Sequence, residues 1–223
     1  MTNKGKWVIG LVCLGCILMA FVDNSKMDYV TKAGLKIITF TLIPLYHSHF
    51  IEKKTLKSYF SIRFTALKFA LGLGLGLYIA MMLLYFLVRP YFDLSQLTDI
   101  LQSNFKTGTL NFVPIAIYIA VINSFLEEFF FRGFAYLSLM DSYSKSFAGL
   151  FSALSFALYH VFLMAGLFPL NLYLMALGAL IIAGYLFNLL DTKSKTILPS
   201  WFVHFCANWG LNTIGFILLK IIF

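Results

Sequence analysis

Apolar residues run along this chain in long windows that charged or turn-forming residues interrupt, at about 7–22, 29–47, 69–88, 110–139, 147–165, 171–190 and 198–219. Most approach the roughly 20 apolar residues that carry an α-helix across a bilayer core. The pattern therefore predicts an all-α, polytopic transmembrane bundle of about seven spans, six to eight. The chain 1–223 reads as one integral membrane domain: 1–109 holds three spans, a basic loop and the loop 89–109, with a short helix from Ser95, and 110–219 holds the remaining spans. Two shorter patterns stand out between and within the spans. Lys53 to Lys68 sets Leu56, Phe60, Phe64 and Leu67 at helical spacing among basic residues, which predicts either an amphipathic helix at the lipid surface or a solvated linker. Gly72 and Gly76 form a GxxxG pair, which predicts close approach by another helix.

Composition agrees with the windows. The chain is 61% hydrophobic and 12% charged, against roughly 45–50% apolar and about 25% charged in soluble domains. The net charge of +8 lies in short clusters between apolar runs, without the stripe or motif that nucleic-acid binding needs. Lys4, Lys6, Lys53, Lys54, Lys57, Arg63, Lys68, Lys145, Lys193 and Lys195 fall on one side if the spans alternate, which predicts an N-terminus inside. Lys32 and Lys36 then lie near the outer end of the second helix. No small-x-small cleavage site follows the first window, so it is expected to be an uncleaved span. Cys13 and Cys16 have redox-motif spacing but sit in a lipid-compatible helix, where packing is the expected role.

Candidate chemistry begins with Glu127, Glu128 and Arg132 inside the fourth window. An ionised side chain at mid-bilayer costs roughly 2.5–3.5 kcal/mol on insertion scales, so each needs a partner or a job. Glu128 and Arg132 are four apart and can pair on one helix face. Glu127 points about 100° away and is left without an account. His160 on the fifth helix, and His204 with Asn208 on the seventh, are the other polar groups at depth. Counting 1.5 Å per residue from the predicted inner helix ends puts Glu127 about 18 Å deep, His160 about 20 Å, His204 about 9 Å and Asn208 about 15 Å. The four can line one cavity if helices four, five and seven are neighbours.

Such a set suits hydrolysis of an amide. Glu127 can act as general base for water, His160 can hold that water or pass a proton to the leaving amine, and His204 with Asn208 can stabilise an oxyanion. Glu127, His160 and His204 also make a His₂Glu set that zinc can occupy with a position open for water. Glutamate-driven and zinc-driven hydrolysis both stand at this point. A non-catalytic bundle in which the charges only stabilise packing is a third reading, and a proton-coupled transporter a fourth, disfavoured because no internal repeat is visible.

"EEFFFR" (Glu127, Glu128, Arg132), "FALYH" (Phe156, His160) and "HFCAN" (His204, Asn208) resemble, in order and spacing, the EExxxR, FxxxH and HxxxN motifs of the CPBP family. This is the CAAX protease and bacteriocin-processing (Abi) family, which includes the type II CAAX prenyl endopeptidases. The resemblance covers roughly residues 110–219. It implies an intramembrane endopeptidase in which Glu127 and His160 activate water, His204 and Asn208 form the oxyanion hole, and Glu128 with Arg132 supports the site. It implies metal-independent glutamate catalysis, with no cofactor, ahead of a zinc mechanism. Membrane lipid and a peptide or membrane-protein substrate are the expected partners, and nucleic acid is not. The short chain resembles bacterial members, which implies a bacterial cell membrane and roles in bacteriocin immunity or peptide maturation, and points away from a prenylated substrate.

Overall fold

A computed structural model describes residues 3–53, 55–91, 94–95, 98–99, 112–165 and 169–222. Most of the loop predicted at 89–109 lies outside them. Seven long helices stand among the described residues: α1 (Asn3–Asp23), α2 (Tyr29–Tyr46), α3 (Phe64–Val88), α4 (Phe112–Leu137), α5 (Lys145–Leu163), α6 (Leu170–Ser194) and α7 (Leu198–Leu218). They occupy the seven apolar windows. Segments Lys4–Asp23, Phe64–Tyr91, Phe112–Leu137, Lys145–Leu163 and Leu170–Ser194 are long and apolar enough to cross a membrane. Polar residues, Lys32 and Lys36 in α2 and His204, Asn208 and Asn212 in α7, lower the apolarity of the other two helices. The architecture is that of a helical membrane bundle.

Local chemistry sets the helix ends. Asp28 caps α2 by accepting from Thr31 N at 3.0 Å and Thr31 Oγ1 at 2.6 Å. The Thr31 hydroxyl, above all, holds this exposed carboxyl below the usual carboxylate range. Ser144 caps α5 by accepting from Phe147 N at 3.3 Å. Pro44, without an N–H, sits in the last turn of α2, and the chain continues into a π-helical turn, His47–Glu52.

Of the two readings of 53–68, a separate amphipathic helix does not form, and among its described residues only 64–68 is α-helical, as the first turn of α3. Lys53 takes the left-handed conformation, φ 55°, a short 3₁₀ turn spans Leu56–Phe60, and Ser61 is extended. The physical reason is tertiary. Tyr59 O accepts from Ile197 N at 3.0 Å and Thr196 Oγ1 at 2.7 Å, while the Tyr59 hydroxyl meets Ser138 Oγ at 2.9 Å. These bonds tie the segment to the α6–α7 link and the end of α4.

Two compact units divide the chain, one of Met1–Arg63 with Leu126–Ser200, the other of Phe64–Phe125 with Trp201–Phe223. In the first, the phenylalanines of α4 make the core. Phe130 stacks on Phe40 at 4.3 Å between centroids, and Phe131 meets Phe156 edge-on at 5.4 Å. Gly15 lets α1 close on them, since a Cβ there would lie 2.6 Å from Phe130 Cζ. In the second, α7 ties its side chains to α4 carbonyls: Trp201 Nε1 donates to Val121 O at 3.3 Å, Asn208 Nδ2 to Ile119 O at 3.1 Å and Asn212 Nδ2 to Ala116 O at 2.8 Å. Ala116 and Ala120 are fully buried and small enough for that approach. The GxxxG expectation is overturned here. Among the described residues a Cβ at Gly72 or Gly76 would meet nothing within 4 Å, whereas one at Gly74 would lie 2.9 Å from Cys206 Sγ.

Candidate active site

Helix α4 changes hand-width at its charged motif. Ser124–Glu127 is α-helical and Glu128–Leu137 is π-helical, a conformation frequent at functional sites. Neighbouring carboxylates therefore leave the axis in different directions and find different partners.

Glu128 Oε2 lies 3.2 Å from Arg132 Nε, and both side chains are fully buried. The predicted pair is present. Arg132 Cζ stands 4.2 Å from the Phe156 ring centre and 5.1 Å from that of Phe187, so the guanidinium is held by two aromatic faces as well as by its carboxylate. A Cβ on Gly184 would lie 3.1 Å from Ala153 Cα and 3.4 Å from Arg132 Nη2, so the close approach of α6 to α5 accounts for a glycine at this point. Asp191, fully buried near the end of α6, also acts electrostatically on Arg132. Its carboxylate accepts from Ser200 N at 3.2 Å and Ser200 Oγ at 2.6 Å, and so caps the first turn of α7.

Glu127 is 1% exposed, and its partner is Lys36. The Lys36 ammonium lies 2.5 Å from Glu127 Oε1. It also lies 4.8 Å from the Tyr159 ring centre and 5.4 Å from that of Phe40. On the other side, His160 Nε2 stands 4.0 Å from the same Oε1. His160 Nδ1 is 2.7 Å from Phe156 O, and a carbonyl only accepts, so Nδ1 carries a proton and Nε2 is turned to the carboxylate. A separation of 4.0 Å is too long for a direct hydrogen bond. A water shared by the two atoms at about 2.8 Å from each would sit to the side of the line joining them.

The structure thus brings Glu127 and His160 together in the first unit, where Glu128 and Arg132 pair beside them. His204 and Asn208 belong to the second unit; His204 is 6% exposed and Asn208 is held through its amide to Ile119 O. Among the described residues no three His, Cys, Asp or Glu side chains gather as a metal set. Lys36 and Asp191 are the functional-looking residues that sequence reasoning missed. For Lys36 a signal existed. It lies ten residues before Tyr46, the end of α2, and Glu127 lies ten before Leu137, the end of α4, so both sit about 15 Å from their helix ends. An ionised lysine at that depth points to a buried carboxylate, and Glu127 is the one that the motif spacing leaves without an account.

Residues 109–210 match the family model described as type II CAAX prenyl endopeptidase Rce1-like. No curated protein and no solved structure matches the chain. The matched stretch contains all three motifs, from Glu127 to Asn208.

Proposed function

Through residues 109–210 this chain is related to the CAAX-type membrane proteases, and on that premise we propose that it is an intramembrane endopeptidase in which Glu127 activates water. The observation that carries the reading is the buried carboxylate of Glu127 facing His160 Nε2 at 4.0 Å, with the imidazole tautomer set by Phe156 O. Water between them gives a proton to Glu127 while its oxygen attacks the scissile carbonyl carbon. Collapse of the tetrahedral intermediate breaks the C–N bond. The proton taken by Glu127 passes to the leaving nitrogen, directly or through His160, and the products are a carboxylate and an amine. On the family pattern His204 and Asn208 stabilise the oxyanion, and alanine at either is expected to lower kcat.

Lys36 supports the metal-free form of this reaction. An ammonium 2.5 Å from Glu127 Oε1 occupies one oxygen of the carboxylate and would repel a dication beside it. Peptide maturation or self-immunity at a bacterial membrane is the setting we assign. The test is purified protein in liposomes with quenched-fluorescence peptides, prenylated and unprenylated at a C-terminal CAAX sequence, alongside proteomics of membrane peptides from cells. Glu127→Gln is expected to remain folded and lose at least about 10²-fold in turnover. Unchanged turnover sinks the role of Glu127, and stoichiometric zinc whose removal abolishes activity sinks the metal-free form.

The same Lys36–Glu127 pair favours one other reading, a non-catalytic membrane protein in which the pair only joins α2 to α4. In that case the protein's protective or cellular effect survives alanine at His160, which the hydrolase reading forbids.

A further inference from the structure

Lys36 lies outside residues 109–210 and outside all three motifs, yet its ammonium lies 2.5 Å from Glu127 Oε1. We propose that Lys36 is a positioning residue of the hydrolytic site: its ammonium keeps Glu127 ionised in an apolar core and fixes Oε1 opposite His160. The inference rests on the hydrolase reading for its kinetic consequence, and on geometry alone for its electrostatic one.

The charged groups near Glu127 come from four helices. Asp23 on α1 acts electrostatically on both Lys36 and Glu127, Lys36 comes from α2, Glu128 and Arg132 from α4, and His160 from α5. Arg132 is taken up by Glu128 at 3.2 Å and by two aromatic rings. His160 has one ring nitrogen on Phe156 O and stands 4.0 Å away. Lys36 therefore puts a cation in direct contact with the Glu127 carboxylate, 2.5 Å from Oε1. A carboxylate deep in an apolar core reverts to the neutral acid unless a partner stabilises its charge, and a neutral acid cannot take a proton from water. The stem of Lys36 has its own anchor. Its ammonium lies against the faces of Tyr159 and Phe40, and Phe40 stacks on Phe130 of α4, so the cation is held by packing as well as by charge.

A hydrophobic carbodiimide tests the electrostatic part without any substrate, because it adds to protonated carboxyls in apolar surroundings and leaves carboxylates unmodified. At neutral pH, peptide mass spectrometry is expected to show slow modification of Glu127 in the wild type. In Lys36→Met the Glu127 rate should rise at least about tenfold, while Glu128, still paired to Arg132, keeps its rate. Lys36→Arg should behave as wild type. If the Met variant fails to insert, Lys36→Gln carries the same test. An unchanged Glu127 rate overturns the proposal, and so does a parallel rise at Glu127 and Glu128, which marks Lys36 as a packing contact only. In the kinetic arm, with whichever fluorescent peptide the wild type cleaves, Lys36→Met should lower kcat by about 10²-fold with KM within about twofold; unchanged kcat also overturns it. Turnover that survives Glu127→Gln defeats the hydrolase reading and leaves the carbodiimide result standing, so the two failures are distinguishable.

Discussion

Two glutamates adjacent in sequence, Glu127 and Glu128, live in different electrostatic worlds. Glu128 faces a guanidinium that is itself clamped between Phe156 and Phe187, an arrangement with the marks of structure: full burial and a short pair. Glu127 faces an ammonium on one side and an imidazole 4.0 Å away on the other. Removing one partner of a buried pair strands the other charge, which typically costs about 3–5 kcal/mol. Arg132→Met is therefore expected to lower the denaturation midpoint in detergent markedly, and adding Glu128→Gln in the same chain should recover most of the loss. A midpoint unmoved by Arg132→Met would show that the pair carries no stability. At Glu127 the corresponding substitutions act first on chemistry, as the glutamine variant and the Lys36 variants test.

At the scale of elements, the helices are shaped by what their neighbours need. The first π-helical turn of α4, Tyr118–Asn123, sits where α7 reaches over with Trp201 and Asn208, whose side chains bond the carbonyls of Val121 and Ile119. In a membrane such backbone groups have no water to turn to, so side-chain donors from a packed helix take its place. Glycine on α3 follows the same logic. Only Gly74 among 72, 74 and 76 faces α7, where a Cβ would press on Cys206 Sγ at 2.9 Å and Phe202 at 3.3 Å. Gly74→Leu is expected to destabilise the bundle by roughly 1–3 kcal/mol through overpacking. Gly72→Leu and Gly76→Leu, with open space around them, should leave thermal stability within about 0.5 kcal/mol of wild type. Equal losses at all three positions would contradict the packing described for α3.

Across the whole molecule, the segment that joins α2 to α3 acts as a fastener rather than a surface helix. Tyr59 binds the α6–α7 link through its carbonyl and the end of α4 through its hydroxyl. Burial pushes the phenol from its ordinary value near 10 up to about 12, with the Ser138 bond opposing that shift. The folded state therefore holds this proton more tightly than the unfolded chain does. Its contribution to stability is complete below pH 10 and is lost as the pH rises from about 10 to about 12. The difference in melting temperature between wild type and Tyr59→Phe is expected to shrink across that window, and a difference that stays constant there would sink the linkage. By itself the sequence determined the seven helices, because a bilayer core selects apolar runs of near-spanning length wherever they lie. It also determined the Glu128–Arg132 pair, because a four-residue spacing fixes a shared helix face, and it marked Glu127, His160, His204 and Asn208, because polar groups are rare at that depth. Only the tertiary structure decided that Lys36 meets Glu127, that Asp191 caps α7, that Gly74 replaces Gly72 and Gly76 as the packing glycine, and that Tyr59 is tied to the α6–α7 link and the end of α4. Those outcomes depend on which helix faces meet across tens of residues, and neither periodicity nor local spacing encodes such meetings.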